Sequence, residues 1–373
     1  MAVTVQDVLS AIESWAPRSL AEEWDNVGLQ VGSRRRPVTH LGVALDLTLE
    51  VLEQALAKGI DCLVTHHPLL FKAPKSLDLE TPLGKILSLL IKHDLACIAA
   101  HTNLDSAKGG VSDILAKALG IRVTKALSPC PGSKLYKLVV FIPKGYEEKI
   151  RQALLETEAG VIGSYYGCTF AVSGVGTYLP GEGAKPWYGE KGRLERVSEW
   201  RLEVLVPSME IPRVISLLKE VHPYEEMAFD LYPLEEHDPR FGLGRLGILP
   251  LPMTVLELAR KVAKATGSEQ VQIIGDERQE VEKVAVCGGA GGDLLPQVFK
   301  SGAQVYITGE IKYHQAREAE ALGLSVIVAG HFETEYLVVS ELAKYLEKWA
   351  SSQQATIKIS QLEDKSPFKL IKI

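Results

Sequence analysis

At 373 residues, 46% hydrophobic and 24% charged, the chain is too long and too apolar for a small disulfide scaffold or a disordered segment, and holds two or three domains of roughly 150 residues. Its 41 basic and 47 acidic side chains leave a net charge of −6, which argues against a protein that covers nucleic acid with a basic surface. Five scattered cysteines without a CxxC pair read as reduced thiols, and neither a signal peptide nor an apolar run near the roughly 18 residues of a membrane span is visible, so a cytoplasmic protein is expected.

Hydrophobic periodicity predicts a helix over Val5 to Trp15, strand Leu41 to Leu45, helix Leu49 to Lys58, strand Cys62 to Thr65, helix Leu83 to His93, strand Ala96 to Ala100 and helix Val111 to Leu119. This alternation is that of an α/β fold with a largely parallel sheet. The middle third has a different pattern, with strand Tyr136 to Ile142, helix Glu147 to Glu156, strands Cys168 to Val175 and Arg196 to Val206, helix Ile211 to Val221 and strand Ala228 to Leu231. That is a ferredoxin-like βαββαβ order of an α+β module. Helix Val255 to Thr266, strand Lys283 to Cys287, helix Leu294 to Ser301, strand Gln304 to Thr308, helix His314 to Leu322, strand Ser325 to Ala329 and helix Thr334 to Trp349 then return to the alternation of the first third. Turn-rich stretches at 128–133 and 233–239 mark the module's edges. The expected organisation is a discontinuous α/β domain, 1–129 with 237–373, interrupted by a domain over 130–236.

The two flanking segments share a pattern. After one buried strand comes His101 with Asp105 four residues on, and after another comes His331 with Glu335 four residues on; either a duplication or a chance likeness of two βαβ units accounts for it. His66, His67, Asp105, His331 and Glu335 all fall just past predicted strand ends, where open α/β sheets place ligands. Imidazoles mixed with carboxylates suit transition-metal or zinc-type ions better than calcium or magnesium. Adjacent residues in extended chain point to opposite sides, so His66 and His67 fit two neighbouring ions more naturally than one. A helix beginning at His331 puts His331 and Glu335 on one face. Each residue also has a plain structural reading: a hydrogen-bonded buried histidine, a turn-capping Asp105, a first-turn helix acid at Glu335. The glycine-rich run 287–292 reads as a tight βα turn in preference to a phosphate cradle, Arg34 to Arg36 as a solvated turn, and Trp24 and Asn26 as packing of the N-terminal helix on the sheet.

The stretches Glu23-Trp-Asp-Asn-Val-Gly-Leu-Gln-Val-Gly32, Leu63-Val-Thr-His-His-Pro-Leu-Leu-Phe71, Ala100-His-Thr-Asn-Leu-Asp105 and Ile327-Val-Ala-Gly-His-Phe-Glu-Thr-Glu335 resemble the Nif-three-like dinuclear-metal proteins, the GTP cyclohydrolase 1 type 2 homologs. The middle portion, with Tyr178 to Gly183 and His222 to Glu226, resembles the PII/CutA-like insert of the longer bacterial members. The resemblance implies two similar α/β halves, and ligation of two divalent ions (Zn, Fe or Mn) by His66, His67, Asp105, His331 and Glu335. It also implies a ring-like homohexamer with the metal centres facing an internal cavity. Two function classes stay open: a metal-dependent hydrolase of a nucleotide or other phosphorylated small molecule, with GTP ring opening as the named candidate, and a non-enzymatic metal-binding, assembly or regulatory protein. In the first, two ions roughly 3.5–4 Å apart activate water for attack on C8 of the guanine ring, with Glu335 bridging. His101, the counterpart of His331 yet outside the family's ligand pattern, is the candidate catalytic residue for proton transfer, or else a hydrogen-bonded structural histidine. The insert is expected to act as a lid, an assembly element or a sensor; partners are a small-molecule substrate and further copies of the chain, with no membrane and no nucleic acid.

Overall fold

Thr4 accepts a hydrogen bond from the Asp7 amide while the Asp7 carboxylate accepts one from the Thr4 amide. This capping box starts α1 (Val5–Trp15) and leaves Val5, Val8, Leu9 and Ile12 along one buried stripe. Along the chain follow β1 (Gly28–Val31), β2 (His40–Ala44), α2 (Leu49–Lys58), β3 (Cys62–Thr65), α3 (Pro82–Lys92), β4 (Ala96–Ala99), the single-turn α4 (Thr102–Ser106), α5 (Val111–Ala118) and β5 (Arg122–Ser128). The middle contains β6 (Lys134–Pro143), α6 (Glu147–Leu155), β7 (Thr169–Tyr178), β8 (Glu195–Pro207), α7 (Ile211–Val221) and β9 (Phe229–His237). Then come β10 (Leu243–Thr254), α8 (Val255–Thr266), β11 (Gln272–Ile274), β12 (Glu280–Cys287), α9 (Leu295–Ser301), β13 (Val305–Thr308), α10 (Tyr313–Ala321), β14 (Ser325–Val328), the single-turn α11 (His331–Glu335), α12 (Leu337–Ser352) and β15 (Lys358–Gln361). These elements are those of a computed structural model that describes residues 2–369 and Ile371. The chain divides into two compact units, 1–131 with 239–373, and 132–238.

The first unit holds a five-stranded sheet, β1-β4-β3-β2-β15, and a six-stranded one, β11-β14-β13-β12-β10-β5. Both follow one plan. An antiparallel edge strand, β1 or β11, lies beside three parallel strands in reverse chain order, β4-β3-β2 or β14-β13-β12. The central strands are short apolar runs buried along their whole length in β2, β3, β4 and β13, as strands covered on both faces must be. The largely parallel sheet expected from the sequence is therefore a pair of mixed sheets with parallel centres. Sequence periodicity also misses β1, β5, β10, β11 and β15, and joins α11 to α12. In α8 the Thr254 hydroxyl accepts from the Glu257 amide and the Glu257 carboxylate from the Thr254 amide. Thr254→Ala is expected to lower stability by about 1 kcal/mol, read as a lower urea midpoint at unchanged slope.

In the second unit the order β6-α6-β7-β8-α7-β9 folds into one antiparallel sheet, β7-β8-β6-β9. Ile150 and Leu154 of α6 and Val214 and Leu218 of α7 pack on Leu138, Val140, Leu202 and Val204 of the sheet. The turn expected at 233–239 is displaced, because β9 continues to His237 and Pro233 pairs with Tyr136. This strand lies at the sheet edge, where a proline costs no ladder hydrogen bond on its open side. Among the described residues no helix is long and apolar enough to cross a membrane. Cys62, Cys97, Cys130 and Cys287 are buried and Cys168 is half-buried.

Candidate metal centre

Three strands from the two sheets of the first unit deliver the site. His66 and His67 follow β3, Ala100 and His101 follow β4 and lead into α4 with Asp105, and α11 carries His331 and Glu335 just beyond β14. His66 Nε2 lies 3.7 Å from Asp105 Oδ1 and 3.9 Å from Glu335 Oε1. His67 Nε2 and His331 Nε2 each lie 3.0 Å from Glu335 Oε2. The donor atoms thus form two triads, His66–Asp105–Glu335 and His67–His331–Glu335, with Glu335 common to both. The backbone bends at His66 and His67, so neighbours in sequence reach opposite oxygens of one carboxylate. The structure brings all five residues together, and His101 with them: its ring nitrogen also groups with those of His66 and His67.

Each histidine is held through its other nitrogen. His66 Nδ1 donates to the Ala100 carbonyl at 2.8 Å, His67 Nδ1 to Asp46 at 2.8 Å and His101 Nδ1 to Asp25 at 3.0 Å, while His331 Nδ1 sits 3.5 Å from Glu310. Since a carbonyl or carboxylate only accepts, the proton sits on Nδ1 and Nε2 faces the centre, the arrangement that orients metal-binding imidazoles. Asp25 and Asp46 escaped the sequence reading. Asp46 lies two residues past β2, so the same search past strand ends that found the histidines could have found it.

The electrostatics fit a cation. Burial pushes the His66 imidazole down to about 3, leaving it neutral. Burial opposes a charge on His67 as well, but the Asp46 and Glu335 carboxylates outweigh it and raise the imidazole to about 10. Burial pushes Asp105 up to about 7, whereas His331 and His67 overcome the same burial at Glu335 and hold its carboxyl well below the usual range. His66 Nε2 is buried without a hydrogen-bond partner. Unsatisfied buried polar atoms cost stability unless something else occupies their lone pairs, and divalent ions suit this set of imidazole and carboxylate donors.

The neighbourhood is shaped around Glu335. Gly289, at φ +64°, approaches so closely that a Cβ there would collide with Glu335 Oε1. The amides of Gly289 and Gly291 donate to Thr334 and Thr308 hydroxyls, so this glycine-rich turn packs the centre and offers those groups to no phosphate. Trp24 does not pack α1 on the sheet as expected. It is 58% exposed and leans on Phe71, itself 48% exposed, with the ring centroids of both just over 6 Å from that of His101. Nor is 34–36 a solvated turn throughout: Arg36 pairs with Asp61 and Asp94.

Known proteins show the same architecture. Residues 3–367 match the family Duf34/NIF3 (NGG1p interacting factor 3). A GTP cyclohydrolase 1 type 2 homolog from Bacillus subtilis is 38% identical over 370 residues, covering 99% of both chains. One of the same name from Halalkalibacterium halodurans is 39% identical over 343 residues, covering 92% of each. A Bacillus cereus protein related to NIF3 superposes with a TM-score of 0.88 at 38% identity over 100% of both chains, and a Staphylococcus aureus protein at 0.77 and 29% over 99% of both.

Proposed function

Because this chain belongs to the Duf34/NIF3 family, we propose that His66, His67, Asp105, His331 and Glu335 hold two divalent ions of the Zn, Fe or Mn type and form the centre of a hydrolase. Its substrate is a nucleotide or similar phosphorylated small molecule, and GTP ring opening is the first candidate, after the names of the relatives. The single observation that carries this reading is Glu335 standing between two donor triads. Ions held by these residues would supply Lewis-acid polarisation of the bond under attack and a more acidic water.

The chain's own residues supply the rest. Asp25 fixes the His101 ring, and although burial opposes its charge, hydrogen bonds from His101 and Thr102 pull its carboxyl down to about 2. An ionised Asp25 keeps the Nδ1 proton of His101 in place and leaves Nε2 to take a proton from water and return it to a leaving group. The exposed faces of Trp24 and Phe71 offer a planar ring a place to stack at the mouth of the centre. For 132–238, the βαββαβ order in one antiparallel sheet supports the PII/CutA-like reading of the insert.

Asp25→Asn is expected to keep the full metal complement and lower kcat about 100-fold, the contribution of one positioned proton carrier. A metal-binding role without turnover has one observation in its favour. The cavity beside Glu310 is lined by Asp293 and Glu310 against a single Lys312, a thin provision for a triphosphate. GTP consumption by metal-loaded wild type, compared with His101→Ala, decides between them: turnover that falls with His101 supports the hydrolase, and metal-loaded protein inert toward GTP and other nucleotides supports binding alone.

A further inference from the structure

The second unit encloses a cavity of about 460 Å³ that the metal centre does not use, with Phe141, Tyr178, Trp187, Glu199 and Tyr224 among its walls. Two stretches that stand out in the sequence build it: 178–183, which leaves β7, and 222–226, which joins α7 to β9. The ring of Tyr224 stands 6.1 Å from that of Tyr178 and 5.8 Å from that of Trp187. The charged residues of the lining are Glu199, Glu225 and Glu226, with neither lysine nor arginine among them.

Glu199 is the fixed charge. Half-buried on β8, it accepts a 2.7 Å hydrogen bond from the Tyr224 hydroxyl. Two basic residues of the same sheet, Lys137 and Arg201, pair with Glu203. Burial and Glu199 both raise the Tyr224 phenol, so the proton stays on the tyrosine that donates it. Gly176 makes the room, since a Cβ there would collide with Glu199 Oε2.

We propose that this cavity binds a small organic cation, an amine or quaternary ammonium with an apolar body, seated against the aromatic faces with its charge toward Glu199. The volume lies in the range of small-molecule sites. Ring faces attract a weakly hydrated cation, three carboxylates repel an anion, and a bare divalent ion needs an oxygen cage these walls do not form.

The test is calorimetric titration of the full-length chain with phenethylamine and benzyltrimethylammonium, beside 2-phenylethanol and phenylacetate as neutral and anionic counterparts. Saturable binding of the two cations at one site per chain is expected, with the alcohol at least about tenfold weaker and phenylacetate silent. Glu199→Gln and Trp187→Ala each weaken the cations by about tenfold. Gly176→Ala does the same by displacing the Glu199 carboxylate with its charge intact. Trp187 is 43% exposed, so its replacement leaves the fold intact and keeps the test sound if Glu199→Gln lowers stability. No saturation by either cation up to ~10 mM, equal binding of the alcohol, or wild-type affinity in both Glu199→Gln and Trp187→Ala overturns the proposal.

Discussion

Glu335→Ala strips both metal ions from the chain, whereas His331→Ala strips one: that is the expected outcome of elemental analysis on protein desalted in chelator-free buffer. The contrast follows from geometry. Glu335 Oε2 lies 3.0 Å from the Nε2 atoms of His67 and His331, and Oε1 lies 3.9 Å from His66 Nε2, so its loss takes a donor from each triad. His331 serves the triad with His67 alone and leaves His66, Asp105 and Glu335 together. Even groups that only orient metal ligands change affinity by about 10–100-fold, so a donor shared by two ions changes it more at both. Gly289→Ala gives an independent arm, because its Cβ displaces Glu335 Oε1 without deleting any donor, and metal falls there too. Circular dichroism of the metal-free proteins separates loss of ligation from loss of fold. Two ions retained in Glu335→Ala, or one ion at most in the wild type, would sink the shared-carboxylate centre.

Much of this site is legible in the sequence because its residues follow short apolar runs that can only be buried strands, and ligands in such folds gather where those strands end. The partners behind the histidines are less legible. Asp46 meets His67 across 21 positions and Asp25 meets His101 across 76, and nothing in local spacing announces either pair. The fold shows the same division. Buried parallel strands such as β3 and β13 are visible as apolar runs, but β10 contains Pro250 and Pro252, which read as strand breakers. The structure shows why they are tolerated: the pairing of β10 with β12 shifts register between Ile248 and Met253, so those prolines fall where ladder hydrogen bonds are already interrupted. β5 fails for another reason, its half-exposed residues giving no clean alternation. Edge strands take their place from tertiary pairing more than from local pattern.

Arg245→Met is expected to destabilise the metal-free protein by about 3–5 kcal/mol, the cost of leaving buried acceptors and a half-buried carboxylate without the guanidinium. Arg245 is 2% exposed within β10. Its guanidinium donates to the carbonyls of Gly242, Gly244 and Ala107, at 2.5, 2.8 and 2.6 Å, and pairs with Asp113 at 2.8 Å. Methionine fills most of the volume but satisfies none of these acceptors. At about 2–4 °C per kcal/mol for a unit of this size, the melting temperature should fall by about ten degrees. Asp113 keeps the Gly109 amide when Arg245 is gone, so the loss falls mainly on the unsatisfied carbonyls, and a drop below about 3 °C would contradict the assignment. The consequence reaches the site. Ala107 closes α4, the turn that carries Asp105, and the Gly242 amide donates to the Ser106 carbonyl, so Arg245 and its strand clamp the chain immediately after Asp105. Loosening that clamp frees Asp105 to leave its triad, so Arg245→Met should also weaken metal uptake without touching a single donor atom.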